Sequence, residues 1–408
     1  MTPAINSGDT AWILVCCSLV LMMTPALAFF YGGMVRKKNL LSTLTLSYTF
    51  MAMIGLQWVL YGFTLSFGDS IGGIIGGLDF LGFNGVGQTP NPNYGPTIPF
   101  QVFASFQMMF AVITPALITG GFVERVRFKA FLLFGLAWAT LVYDPLCHWV
   151  WGKGGWLAAM GVLDFAGGTV VHIAAGFSAL AFAMVIGPRK GFGKSTLEPN
   201  NIPYTVLGAG LLWVGWFGFN AGSSLAANGL AGSALLSTNT SGAAAGLVWV
   251  LLSWLDGKPS TLGLATGMVV GLAAVTPASG FVTPLGAMVI GLVAAPLSYY
   301  AIRFREKRKL DESLDVWACH GVASTWGMAA TGLFATVGVN SAGANGLFFG
   351  NPAQLGIQLF GIVVTMVYAF VVTYVLAKLL DWSIGLRADD MEEEVGLDIS
   401  DHGERAYS

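Results

Sequence analysis

Eleven apolar stretches, each close to the ~20 residues a helix needs to cross a bilayer, take up most of this chain and leave little else to build with. They run over about 11–33, 42–67, 100–121, 130–146, 169–187, 203–227, 233–255, 260–279, 284–303, 314–337 and 355–381. Basic residues punctuate them in a fixed order. Arg36, Lys37 and Lys38 follow the first stretch, Arg125, Arg127 and Lys129 the third, and Arg189, Lys190 and Lys194 the fifth. Lys258 follows the seventh, Arg303 to Lys309 the ninth, and Lys378, Arg387 and Arg405 lie at or beyond the end of the eleventh. Of the 19 Lys and Arg only Lys153 falls in a connection of the other set. Basic residues collect on the cytoplasmic side of membrane proteins. The order therefore predicts an all-α polytopic membrane protein with eleven transmembrane helices, the N-terminus outside and the C-terminus inside.

Composition agrees. The chain is 55% hydrophobic and 10% charged, with a mean hydropathy of +0.70, against about 25% charged residues in soluble domains. Its 55 glycines suit helices whose backbones touch in lipid. Ala26-Leu27-Ala28 resembles a signal-peptidase site, but the first ten residues carry no Lys or Arg, so the basic n-region is missing and residues 11–33 are read as a retained first helix. The four cysteines form no C-x-x-C pair, so neither a metal site nor a disulfide framework is expected. Residues 68–99 are rich in Gly, Asn and Pro and read as a lid-like external loop. After the eleventh stretch the chain turns acidic (Asp389, Asp390, Glu392, Glu393, Glu394); composition alone favours a solvated, partly disordered tail.

Within the apolar stretches, ionisable residues cost about 2.5–3.5 kcal/mol each at a helix centre and commonly mark function. His172 lies in the fifth stretch and His320 in the tenth, each preceded eight residues earlier by an acid, Asp164 and Glu312. Two five-helix halves, 1–5 and 6–10, would then have opposite topology, the plan of inverted-repeat transporters with a midplane site. Two neutral imidazoles could line a pore, relay a proton or clamp a haem iron. Asp164, ahead of Gly167-Gly168, reads as a helix N-cap that could also favour a nearby cation. The small residues Ala174, Ala175, Gly176, Gly321 and Ala323 beside the histidines leave room for a path or for close packing. Aromatics crowd the outer helix ends: Phe103, Phe106 and Phe110, then Trp149, Trp151 and Trp156, then Trp213 to Phe219. Phe106 and Phe110 share a helix face. An interfacial belt explains such residues, as does a cation–π site helped by the Ser223 hydroxyl.

Four motifs in order, Asp164-Phe-Ala-Gly-Gly-Thr-Val-Val-His172, Gly215-Trp-Phe-Gly-Phe-Asn-Ala-Gly-Ser223, Asp315-Val-Trp-Ala-Cys-His-Gly321 and the tail Gly396 to Tyr407, resemble those of the ammonium transporter family (Amt/Mep/Rh), its bacterial and archaeal Amt branch in particular. The resemblance implies a transporter rather than an enzyme, with no cofactor, metal or nucleic-acid partner. Trp151, Ser223 and Phe110 would recruit ammonium or methylammonium outside, with Asp164 behind them. Phe110 and Phe219, flanked by Trp216 and Phe106, would form a gate, and His172 and His320 the pore. It also implies a homotrimer in the cell (plasma or inner) membrane. Residues 1–384 would be the transmembrane transporter domain, and 385–408 a cytosolic regulatory tail meeting a PII-type signalling protein. A bis-histidine haem protein would use the same two histidines, and an ammonium sensor would signal through its tail to a partner.

Overall fold

A computed structural model describes residues 4–407. The fold is an all-helical bundle, and among the described residues nine helices are long and apolar enough to cross a membrane. These are α1 (Ser7–Met34), α2 (Lys37–Phe67), α3 (Phe100–Gly121), α4 (Phe128–Ala159), α5 (Gly168–Ile186), α6 (Ile202–Ala221), α7 (Gly229–Leu255), α9 (Pro284–Lys307) and α11 (Pro352–Ile384). The other two predicted stretches are helical but shorter. α8 is Thr261–Val275, and α10 is a turn, Trp317–Val322, running into Ala323–Phe334. After α11 come α12 (Asp390–Val395) and α13 (Leu397–His402).

Helix starts follow local chemistry. The Asn6 side chain accepts from the amides of Gly8 and Asp9 to open α1, and Asn228 does the same for α7. Proline, whose missing N–H costs nothing there, opens α9 and α11 at Pro284 and Pro352. Small residues set the packing. A Cβ on Gly271 of α8 would lie 2.4 Å from Ser241 O of α7, and one on Gly291 of α9 2.3 Å from the same atom. The Ser241 hydroxyl donates to Gly271 O at 2.7 Å. Such contacts replace the hydrophobic drive that lipid removes.

Five of the helices are not uniformly wound. Turns widened to π geometry interrupt them at Trp58–Gly62, Ala139–Tyr143, Gly168–Ile173, Phe217–Ala221 and Trp317–Val322. Hydropathy gives no sign of these, and they frequently mark functional positions; three of the five hold His172, Phe219 and His320.

The ends of α1, α3 and α5 meet the segment before α10 on one face of the bundle. Glu124, buried, accepts from Arg36 N at 2.7 Å and Arg36 Nε at 3.1 Å, and from Arg189 Nη1 at 2.9 Å. Arg189 also holds Asp311 through Nε and Nη2, at 2.9 and 2.8 Å. Burial alone would push the Glu124 carboxyl up, but the Arg189 and Arg36 guanidiniums hold it below the ordinary range.

The tail departs from what its composition suggests. Lys38 Nζ donates to the carbonyls of Glu393 and Glu394 at 2.6 Å, Arg387 donates to Glu393 at 2.5 and 3.0 Å, and Asp398 accepts from Ser42 N at 2.8 Å. Tyr407 Oη donates to Asn200 at 2.8 Å. The acidic run is thus capped, paired and laid on the face that carries the basic residues. Net acidity was misleading because its complement lies far away in sequence. On the opposite face the 68–99 loop is also structured, with a small hairpin of β1 (Ser70–Ile71) and β2 (Ile75–Gly76).

Candidate functional site

Two helix starts place the histidines. At α5, Asp164 Oδ1 accepts from Gly167 N and Gly168 N at 2.8 and 2.7 Å, while Oδ2 accepts from Thr169 N at 2.7 Å and from the Thr169 hydroxyl. Gly167, at φ 117°, occupies a backbone region only glycine enters freely. At α10, Glu312 accepts from Val316 N and Trp317 N at 3.0 and 3.1 Å, and Asp315 stands at φ 61°. In both, a carboxylate eight residues before the histidine caps the turn, and a left-handed residue lies five before it. The Asp164 carboxylate is wholly engaged as a cap, and its carbonyl accepts from Trp151 Nε1 at 3.0 Å.

The two capped turns meet back to back. A Cβ on Gly176 would sit 2.3 Å from Gly321 N and 2.4 Å from its Cα, so the small residues serve close packing. Across this contact the Nδ1 atoms of His172 and His320 lie 3.2 Å apart, with both rings buried and nearly parallel at 17°. An Nδ1–Nδ1 hydrogen bond needs a hydrogen on one ring and a bare nitrogen on the other. With both rings neutral, the pair therefore presents one bare Nε2 and one Nε2–H.

Above the pair the rings continue as a column. Trp216 and Phe219 lie 5.5 and 5.9 Å from His172, and Phe219 lies 4.2 Å from Phe110. Phe106 meets Phe110 at 5.0 Å, edge to face. Trp216 is held by its indole N–H donating to the Thr276 hydroxyl at 2.9 Å. Beside the histidines is a cavity of only about 10 Å³, lined by apolar side chains such as Leu27, Ile113 and Val269 along with Trp216, Phe219 and both imidazoles. That is about the least volume that holds one water molecule. Among the described residues His172 Nε2 has no hydrogen-bond partner. Two nitrogens on opposite sides of a metal stand about 4 Å apart; with Nδ1 atoms at 3.2 Å and so small a cavity, the pair does not fit a haem.

Above the column lies an open vestibule of about 610 Å³ lined by Phe110, Trp151, Ser223, Phe103, Tyr94 and Gln107, among others. Trp151 meets Phe110 edge to face at 5.9 Å. The Ser223 hydroxyl donates to Phe219 O at 2.9 Å, leaving its oxygen to accept. The nine residues read from sequence thus come together: Trp151 and Ser223 on the vestibule, Phe110, Phe106, Phe219 and Trp216 below, His172 and His320 beneath, and Asp164 capping from behind, with Phe110 shared by the upper two levels. Gln107 escaped the sequence reading, although its Oε1 is buried on the vestibule wall with no partner among the described residues; a polar residue between Phe106 and Met108 was the available signal. His148 and Asp144, buried in α4, were also passed over.

The chain matches the family model described as Ammonium Transporter Family over residues 11–407. It belongs to that family. It is 50% identical to the ammonium transporter Amt1 of Archaeoglobus fulgidus over 403 residues, covering 99% of this chain and 100% of that one. It is 48% identical to the ammonium transporter of Bacillus subtilis, covering 98% of each. Among solved structures, Mep2 of Saccharomyces cerevisiae is similar at a TM-score of 0.89 and 34% identity, over 95% of this chain and 88% of that one. A structure titled "Sensor Amt Protein" is similar at 0.89 and 29%, over 97% and 98%. Family membership makes this a multi-pass membrane protein and fits the apolar helices.

The cap gives a direct prediction. Asp164→Ala strands three amides at the start of α5 and should lower stability in detergent by about 1–2 kcal/mol, with methylammonium uptake lost. Unchanged melting together with normal uptake would contradict the role of this carboxylate.

Proposed function

We propose that this chain carries ammonium across the membrane, recruiting it on the vestibule floor and passing it as ammonia through the histidine-lined constriction. The observation that carries this reading is the small, apolar cavity beside a buried imidazole pair, below an aromatic vestibule. Ammonium and potassium are similar in size, so a hole alone does not choose between them. The faces of Trp151 and Phe110 attract a cation, and the Ser223 oxygen accepts one of its N–H groups, which potassium lacks. Below the gate no counter-charge replaces lost water, so the charged form is disfavoured and the neutral amine favoured. Ammonia both donates and accepts, and the pair of Nε2 atoms offers one partner of each kind. The released proton crosses separately along the histidine pair, making transport electrogenic.

The same reading sets the topology. α8 and α10 cross along with the nine longer helices, giving eleven spans with the N-terminus outside and the C-terminus inside. The matched caps of α5 and α10 support an inverted repeat of helices 1–5 and 6–10. The chain works as a homotrimer in the cell or inner membrane, one pore per subunit. Residues 1–384 form the transport domain and 385–408 a regulatory tail for a PII-type protein; the tail's docking onto Lys38, Ser42 and Asn200 supports coupling between such a partner and the helices.

On supported membranes, ammonium should evoke a current in the wild type that His172→Ala abolishes or strips of its selectivity. An unchanged, selective current would exclude the relay. Truncation after Leu386 should weaken PII association at least about tenfold, the equivalent of about 1.4 kcal/mol of binding free energy. Full binding by the truncated chain would remove the tail from the docking surface.

A further inference from the structure

His148 has no place in the proposed pore, yet it is fully buried and bonded at both ring nitrogens. Its Nδ1 lies 2.9 Å from the carbonyl oxygen of Ser66, at the outer end of α2. A carbonyl only accepts, so Nδ1 carries the hydrogen and donates. In the neutral ring Nε2 is then a bare acceptor, and the Ser70 hydroxyl, 2.8 Å away, donates to it. Ser70 Oγ in turn accepts from Gly73 N at 3.1 Å, inside the hairpin turn. One imidazole therefore joins α4 to α2 and to the hairpin.

The joint stands one helical turn before Trp151. The α4 winding breaks at Gly152, whose amide donates to His148 O at 3.0 Å. A Cβ there would come 2.4 Å from His148 Nδ1 and 2.7 Å from Ser66 O, so the imidazole is pressed against the turn that carries the indole. The hairpin grips the same turn elsewhere: Trp149 Nε1 donates to Ile74 O at 2.6 Å, and Trp156 N to Gly73 O at 3.2 Å. The Trp151 indole has one hydrogen bond among the described residues, from Nε1 to Asp164 O. Its ring direction thus depends on the 148–152 turn staying where His148 fixes it.

We propose that His148 is a positioning residue for the outer ammonium site, holding the Trp151 indole towards the vestibule by tying its turn to Ser66 and, through Ser70, to the hairpin. The inference rests on the reading of Trp151 as a wall of that site. The role is sharper than packing because cation–π attraction depends on ring orientation, whereas passage through the pore does not involve this turn.

The test is methylammonium uptake by the full chain in proteoliposomes, measuring KM and maximal rate for His148→Ala, His148→Asn, Ser70→Ala and Trp151→Leu. His148→Ala should raise KM about tenfold, the equivalent of one weakened cation–π contact, while changing the maximal rate less than about twofold. His148→Asn, whose amide reaches the Ser66 carbonyl from the δ position, should recover most of the affinity. Ser70→Ala, on the exposed hairpin, should raise KM in the same direction and carries the test if His148→Ala does not fold. If Trp151→Leu leaves KM unchanged, the outer-site reading fails and this inference with it. If Trp151→Leu raises KM but Ser70→Ala and a folded His148→Ala do not, the outer site stands and the positioning role is overturned. A lower maximal rate at unchanged KM in His148→Ala would equally reduce His148 to packing.

Discussion

The two histidines meet because the helices that carry them touch backbone to backbone at Gly176 and Gly321, where a single added carbon would lie 2.3 Å from a main-chain nitrogen. Everything near the bundle centre depends on that approach. It brings the Nδ1 atoms to 3.2 Å, which fixes where the remaining ring nitrogens stand. The widened turns at Gly168–Ile173 and Trp317–Val322 present the rings to each other, and each turn is capped by a carboxylate. Side chains on a rigid, capped turn lose little further freedom when they engage a ligand, the condition for a preorganised site.

Charge is arranged to leave this region bare. Glu124, Asp311, Arg36, Arg125 and Arg189 form one ion-pair network on one face, and the acidic tail neutralises more of the basic surface there. The Asp164 carboxylate is spent on four donors. What lines the constriction is hydrocarbon, rings and two imidazoles. In such surroundings an ion without a partner costs on the order of tens of kcal/mol, whereas a neutral amine costs only the hydrogen bonds it fails to make. Selection by protonation state, as proposed, follows from that difference more than from the width of the passage.

Much of this was legible in the chain. Hydropathy located the helices because lipid forces apolar side chains to be contiguous, and the order of basic residues separated the two sets of connections. The Asp164 cap was legible from an acid placed before a glycine pair. The direct contact of His172 and His320 was not, since no local pattern records a contact across 148 residues; their matching places in two putative halves and the resemblance pointed to a shared site, not to touching rings. The folded tail was missed for the same reason, its partners Lys38, Ser42 and Asn200 being remote. The π turns are invisible to hydropathy. Gln107 lay inside an apolar run and His148 just past the end of one, where one polar residue draws little notice. Leu27, Ile113 and Val269 face the cavity but are indistinguishable by sequence from residues that face lipid.

The dry constriction is tested most directly by currents from the full chain on supported membranes, with ammonium and potassium compared at equal concentration and pH. Selection by deprotonation predicts a saturable ammonium current, no current from potassium, and little inhibition of the first by the second. A potassium current of similar size would mean that the ion crosses with its charge, and would contradict the proposed passage of ammonia past His172 and His320.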